Sequence, residues 1–130
     1  MATATSTSSI TEIGGKYILD RTCTGANGAT NNVTGGTGSI FMVQINNEAN
    51  STPSYLKIRD NASATPATTT ANGVGTPHFT FKAPEYTKIT YSIPGGAAFG
   101  AGLSMWCVTG TEVGNETDAT SSVIVKLICS

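Results

Sequence analysis

Ser39-Ile40-Phe41-Met42-Val43-Gln44-Ile45-Asn46 is the stretch that decides the fold. Phe41, Val43 and Ile45 recur at a spacing of two, which in an extended chain puts them on one face of a sheet. The next run, Pro53 to Asp60 (PSYLKIRD), repeats the pattern, with Leu56 and Ile58 inward and Tyr55, Lys57 and Arg59 outward. Further along, Thr76 to Lys82 sets Phe79 and Phe81 on one face, and Pro84 closes it. Tyr86 to Ile93 alternates again: Ile89, Tyr91 and Ile93 face in, Lys88, Thr90 and Ser92 face out, and Pro94-Gly95-Gly96 ends the strand. In Ala101 to Thr109, Leu103, Met105 and Cys107 share one face and Trp106 and Val108 the other. Ser122 to Cys129 is apolar on both faces except Lys126, which predicts a strand at the centre of a sheet or at an interface. Upstream, Lys16 to Cys23 (KYILDRTC) also reads as a strand.

Turn-forming segments separate these runs. Thr24 to Gly38 contains five Gly and three Asn and is expected to be a long exposed loop, as are Asn61 to Gly75 and the polar stretch Gly110 to Ser121. Residues 1–9 are small and hydroxylated with nothing to bury, an arm in composition. Ile10-Thr11-Glu12-Ile13 is either a short strand or a patch that anchors the arm, and Gly14-Gly15 turns the chain into the domain. The expected organisation is an N-terminal arm over 1–13 and a single domain over 14–130. Seven strands, eight if residues 10–13 form one, with short turns and no helical periodicity, predict an all-β fold. We expect a jelly-roll-like β-sandwich of antiparallel strands with a short extended N-terminal arm. Other Greek-key arrangements share this pattern, because strand order is not written in it.

Composition fits a packed β domain. Of 130 residues only 12% are charged, and Thr, Gly, Ala, Ser and Asn together make up 72. Thr favours strands, and Gly and Asn favour turns. The net charge of −1 offers no footprint for a nucleic-acid backbone. No apolar run approaches the about 18 residues of a membrane span. The first nine residues lack the basic and apolar regions of a secretory signal, so synthesis in a cytoplasm without export by that route is expected.

Chemistry-bearing groups are sparse. His78 is the only histidine and sits between Pro77 and Phe79 at a strand start, where a rim position is the plain expectation. Cys23, Cys107 and Cys129 have no metal-ligand spacing and read as small buried hydrophobes with free thiols; Cys107 and Cys129 could be neighbours in the sheet. The clusters Thr34 to Gly38 and Gly95 to Gly100 lack the Gly-Lys-Ser/Thr of a phosphate loop, and Trp106 breaks the elbow motif around Ser104. Glu112, Glu116 and Asp118 are grouped loosely enough to be simply solvated. Four sequons, at Asn32, Asn50, Asn61 and Asn115, stand where chance alone gives about two. No catalytic group, metal or cofactor is expected. Trp106 and Tyr55, pointing away from the aliphatic face, are candidate interface residues, joined by Ile10 and Ile13 in the arm.

Several segments together carry a resemblance: Tyr55-Leu56-Lys57-Ile58-Arg59-Asp60, then Ile93-Pro94-Gly95-Gly96-Ala97-Ala98-Phe99 leading into Gly102-Leu103-Ser104, then Val108-Thr109-Gly110, and the closing Val123-Ile124-Val125-Lys126-Leu127-Ile128-Cys129. Over about residues 17–129 the chain resembles small virion proteins of tailed bacteriophages of the cyanophage and marine phage type, most nearly capsid decoration (cement) proteins. The resemblance implies a β-sandwich subunit, often a homotrimer, seated on the outer capsid between capsomers and in contact with the major capsid protein. It implies a virion location after synthesis in the host cytoplasm, and no catalytic residues. The competing expectation is a tail or head-fibre module that recognises host-surface glycans through Trp106, Tyr55 and loop asparagines.

Overall fold

The computed structural model describes residues 3–7 (backbone only), 16–24, 30–63, 76–111 and 117–130. Eight strands follow in chain order: β1 (Thr3–Thr7), β2 (Lys16–Cys23), β3 (Gly38–Asn46), β4 (Ser54–Asp60), β5 (Phe79–Ala83), β6 (Lys88–Phe99), β7 (Leu103–Val108) and β8 (Val123–Cys129). They build a five-stranded sheet, β1-β2-β8-β3-β6, and a three-stranded sheet, β5-β4-β7. Every pairing is antiparallel. The all-β sandwich expected from the alternation is the fold observed.

One core lies between the sheets. Ile18, Ile40, Val43, Ile45, Val125 and Leu127 enter it from the larger sheet, and Leu56, Ile58, Leu103 and Met105 from the smaller, all with no exposed surface. Each such side chain contributes about 1.5–3 kcal/mol by leaving water. Phe79, Phe81, Ile89, Tyr91 and Ile93 pack half-buried around its margin, and Phe81 and Tyr91 meet with ring centroids 5.2 Å apart. Strand β8 is central, as its two apolar faces predict: Leu127 pairs with Ile18 of β2 on one side and Val43 of β3 on the other.

Four local expectations are corrected. Phe41 does not share a face with Val43 and Ile45; the register slips between Ile40 and Met42, so Ile40 takes the inward place and Phe41 sits on a bulge. Strand β6 does not end at Pro94-Gly95-Gly96 but runs on to Phe99, and it starts at Lys88, after a turn at Tyr86. As an edge strand it tolerates the missing N–H of Pro94. Gly96, at φ +79°, leaves room for the bulge, since a Cβ there would lie 2.8 Å from Ser39 Cβ and 2.9 Å from Phe41 Cε1. Nor is the stretch Thr24 to Gly38 simply an exposed loop, because its described parts bond to the open edge of β7. Thr30 exchanges hydrogen bonds of 2.9 and 3.0 Å with Met105, the Val33 N–H reaches Leu103 O at 2.8 Å, and Val33 and Thr34 are buried. Finally, the arm holds a strand: Thr3 to Thr7 pair with Asp20 to Lys16 along the edge of the larger sheet. Ile10 and Ile13 lie outside the described residues.

Candidate functional site

The two aromatic candidates lie on the outward face of the smaller sheet, where Tyr55 pairs with Val108 and Lys57 with Trp106. Tyr55 is half-buried. Trp106 has no exposed surface, and neither has Lys57, so the expectation of a solvent-facing tryptophan is corrected. The alternation assigned the right face; that face is itself covered, and Trp106 and Val108 form a second small core there. Among the described residues the Trp106 indole N–H has no hydrogen-bond partner. As folded, this ring presents nothing for a sugar or a neighbouring subunit to stack on.

His78 is exposed at the sandwich rim and accepts a 2.8 Å hydrogen bond from the Asp60 N–H through Nδ1. The Asp60 carboxylate in turn gathers the turn between β6 and β7, accepting from Gly100 N at 2.8 Å and Ala101 N at 2.9 Å. Burial would raise this carboxyl, but the backbone N–H groups of Gly100, Ala101 and Gly102, with His78 nearby, outweigh it and hold the group below its ordinary range. This is a clamp on a turn.

The three cysteines are free and buried. Cys107 does not neighbour Cys129 in a sheet, since β7 and β8 belong to different sheets; its thiol touches Cys23 instead. Burial pushes the Cys23 thiol well up, and Cys107, Asp20 and Asp118 push the same way. Burial also pushes Cys129 up to about 11 against the pull of Lys16. Such thiols are poor nucleophiles at neutral pH. Among the described residues no group of three or more His, Cys, Asp or Glu is placed to hold a metal ion; Glu112 and Glu116 lie outside the described residues. Of the sequons, Asn50 is 2% exposed with its carboxamide bonded on both sides, which closes it to a glycan in the folded chain.

The open surface is elsewhere. The outward face of the larger sheet holds a shallow cavity of about 300 Å³ across β2, β8, β3 and β6, with Arg21, Lys126 and Lys88 in its wall. Composition hid this site, because a net charge of −1 says nothing about where seven cations sit. The strand alternation did carry the signal, in Lys126 standing alone among the apolar residues of β8. Compared with protein-family models, with curated proteins and with solved structures, the chain matches none.

Proposed function

We propose that this chain is a non-enzymatic virion structural protein, a capsid decoration (cement) protein that bridges major capsid protein subunits on the outer head surface and associates with its own copies as a homotrimer. The observation that carries the reading is the edge strand built from the N-terminal arm. Strand β1 is five residues of Thr, Ala and Ser, held by pairing to β2 alone, at the end of an otherwise complete sheet. A strand of that kind exchanges its partner readily, because backbone hydrogen bonds are indifferent to which chain supplies them. Repeated over a symmetric shell, many such contacts add up to strong attachment.

Strand order supports the same reading. From β2 onward, β2-β8-β3-β6 lie in one sheet, while β5-β4-β7 and then the Thr30–Thr34 segment lie in the other. We read this alternation as the two interleaved Greek keys of a jelly roll, an architecture that recurs in viral shells and in lectins. The decisive experiment is the copy number of the polypeptide per purified virion, measured by quantitative mass spectrometry against the major capsid protein. A simple fixed fraction of the capsid count is expected, together with loss of thermal and osmotic resistance when the protein is stripped. One copy per hundred capsid subunits would instead place it in a tail or head fibre, the alternative to which the open, cationic sheet face lends weight.

A further inference from the structure

We propose that the outward face of the five-stranded sheet is a binding site for an anionic saccharide, a sugar oligomer carrying carboxylate or sulfate groups. The inference does not rest on the capsid reading, since a decorating subunit and a fibre domain would present this face alike.

Charge comes first. Three of the chain's seven Lys and Arg residues, Arg21, Lys88 and Lys126, line one cavity of about 300 Å³, and among the described residues no carboxylate lines it. Among the described residues none of the three has an ion-pair partner. They stand on β2, β6 and β8, so they span three inter-strand gaps of the sheet, roughly 14 Å at the usual spacing. A row of unpaired cations that long suits an extended ligand with repeated acid groups rather than a single small anion.

Between the cations the wall is not simply polar. Leu19 and Ile124 are half-buried, and Tyr17, 37% exposed, offers a ring to the apolar face of a pyranose. The floor carries two carboxamides. Gln44 Nε2 donates to Thr90 Oγ1 at 3.1 Å and Asn46 Oδ1 accepts from the Glu48 N–H at 3.0 Å, which leaves an acceptor on Gln44 and a donor on Asn46 for hydroxyl groups. An aromatic ring, paired amides and flanking cations together match a charged sugar. An acidic peptide fits less well: a sheet face, unlike a sheet edge, has no free backbone groups with which to extend the ladder.

The test is an amide-shift titration of the full chain by NMR with four probes: an oligogalacturonate, a heparin-derived oligosaccharide, a dextran oligomer and an oligoglutamate. We expect one or both anionic sugars to shift Tyr17, Gln44, Asn46 and Lys126, with dextran and oligoglutamate at least tenfold weaker. Raising the salt should weaken the sugar through screening. Tyr17→Ala and Lys126→Gln should each lose about tenfold in affinity, equivalent to about 1.4 kcal/mol. Lys88→Gln, on an exposed edge-strand position that folding does not need, should lose a similar factor. Dextran binding as tightly as the charged sugars would overturn the proposal. So would oligoglutamate binding at least as tightly, which would make the face a dock for an acidic protein segment. Absence of shifts at these residues with all four probes would overturn it as well.

Discussion

Asn47 and Asn50 meet side chain to side chain where three turns converge. Asn50 Nδ2 donates to Asn47 Oδ1 at 2.9 Å and to Ser121 O at 3.1 Å, while Asn50 Oδ1 accepts from the Ser121 N–H at 2.8 Å. Ser54 Oγ reaches the same Asn47 Oδ1 at 2.8 Å, and Asn47 Nδ2 donates to Thr52 O at 2.9 Å and Ala83 O at 3.2 Å. Both asparagines are buried, and the Asn47–Asn50 and Asn47–Ser54 bonds run where water does not readily reach, whereas the Ser121 backbone lies at the surface. Asn50→Ala removes the buried bond to Asn47 and frees both backbone groups of Ser121 to water, and should lower the unfolding free energy by about 1–2 kcal/mol. Urea denaturation monitored by circular dichroism measures it; a loss below about 0.5 kcal/mol, the range of ordinary surface changes, would show that the network holds nothing together. Little of this was legible beforehand. In the sequence Asn50 is a turn residue within a sequon, and its partner Ser121 lies in a loop 71 positions away. Trp106 teaches the same limit: alternation assigns a side chain to a face, but what lies over that face depends on contacts distant in the chain.

At the level of strands, apolar alternation located most elements, although in β3 it put Phe41 on the face that the bulge gives to Ile40. Strands β3, β4 and β7 coincide with runs of period two, β2 and β8 with the runs read as strands on other grounds, and the candidate core of Leu56, Ile58, Leu103 and Met105 is the observed one. It was silent about β1, whose TATST has no apolar residue larger than Ala, and about the Thr30–Thr34 segment, where Asn and Gly speak for a turn although the backbone bonds to β7. It also stopped β6 too early, because Pro94 on an edge strand does not break the ladder as it would in a central one. The pairing pattern separates a deletion from a substitution. A chain lacking residues 1–13 loses one edge strand and should still unfold cooperatively, whereas Leu127→Asp puts an unpaired charge in the row Ile18-Leu127-Val43 and should abolish the fold. Thermal melts of the two variants check this. Failure of the shortened chain to fold would show that residues 1–13 belong to the core.

For the molecule as a whole, stability against pH has two limbs with separate causes. Asp60 is held below its ordinary range, so its contribution is present above the usual carboxylate pKa and is lost as pH falls through the lowered value, when the clamped turn gives way. Cys129 and Cys23 act in the opposite sense. Their native pKa values are raised, so the folded chain keeps protons that the unfolded chain surrenders above 9.0, and stability falls from there toward about 11. Two pH units at Cys129 correspond to a loss on the order of 2 kcal/mol. Urea midpoints should therefore drop between pH 8.5 and 10.5 (values on the order of the thiol range), and Cys129→Ala should flatten that limb. An unchanged slope in the variant would assign the alkaline loss to other groups.

The place of β8 has a consequence in time. It is the last of the eight strands to be synthesised, yet it stands between β2 and β3, which have no shared partner until it arrives. Until it arrives the larger sheet stays divided in two, with β1 and β2 apart from β3 and β6, and the apolar faces of Ile18, Val43 and Ile45 lack their neighbours Val125 and Leu127. Closure of the larger sheet is thus a late event that joins sequence-distant strands, slow by topology and open to aggregation while it waits. The scarcity of large apolar residues outside the core strands, and the Thr-rich surface in their place, suit a chain that spends its synthesis unfinished.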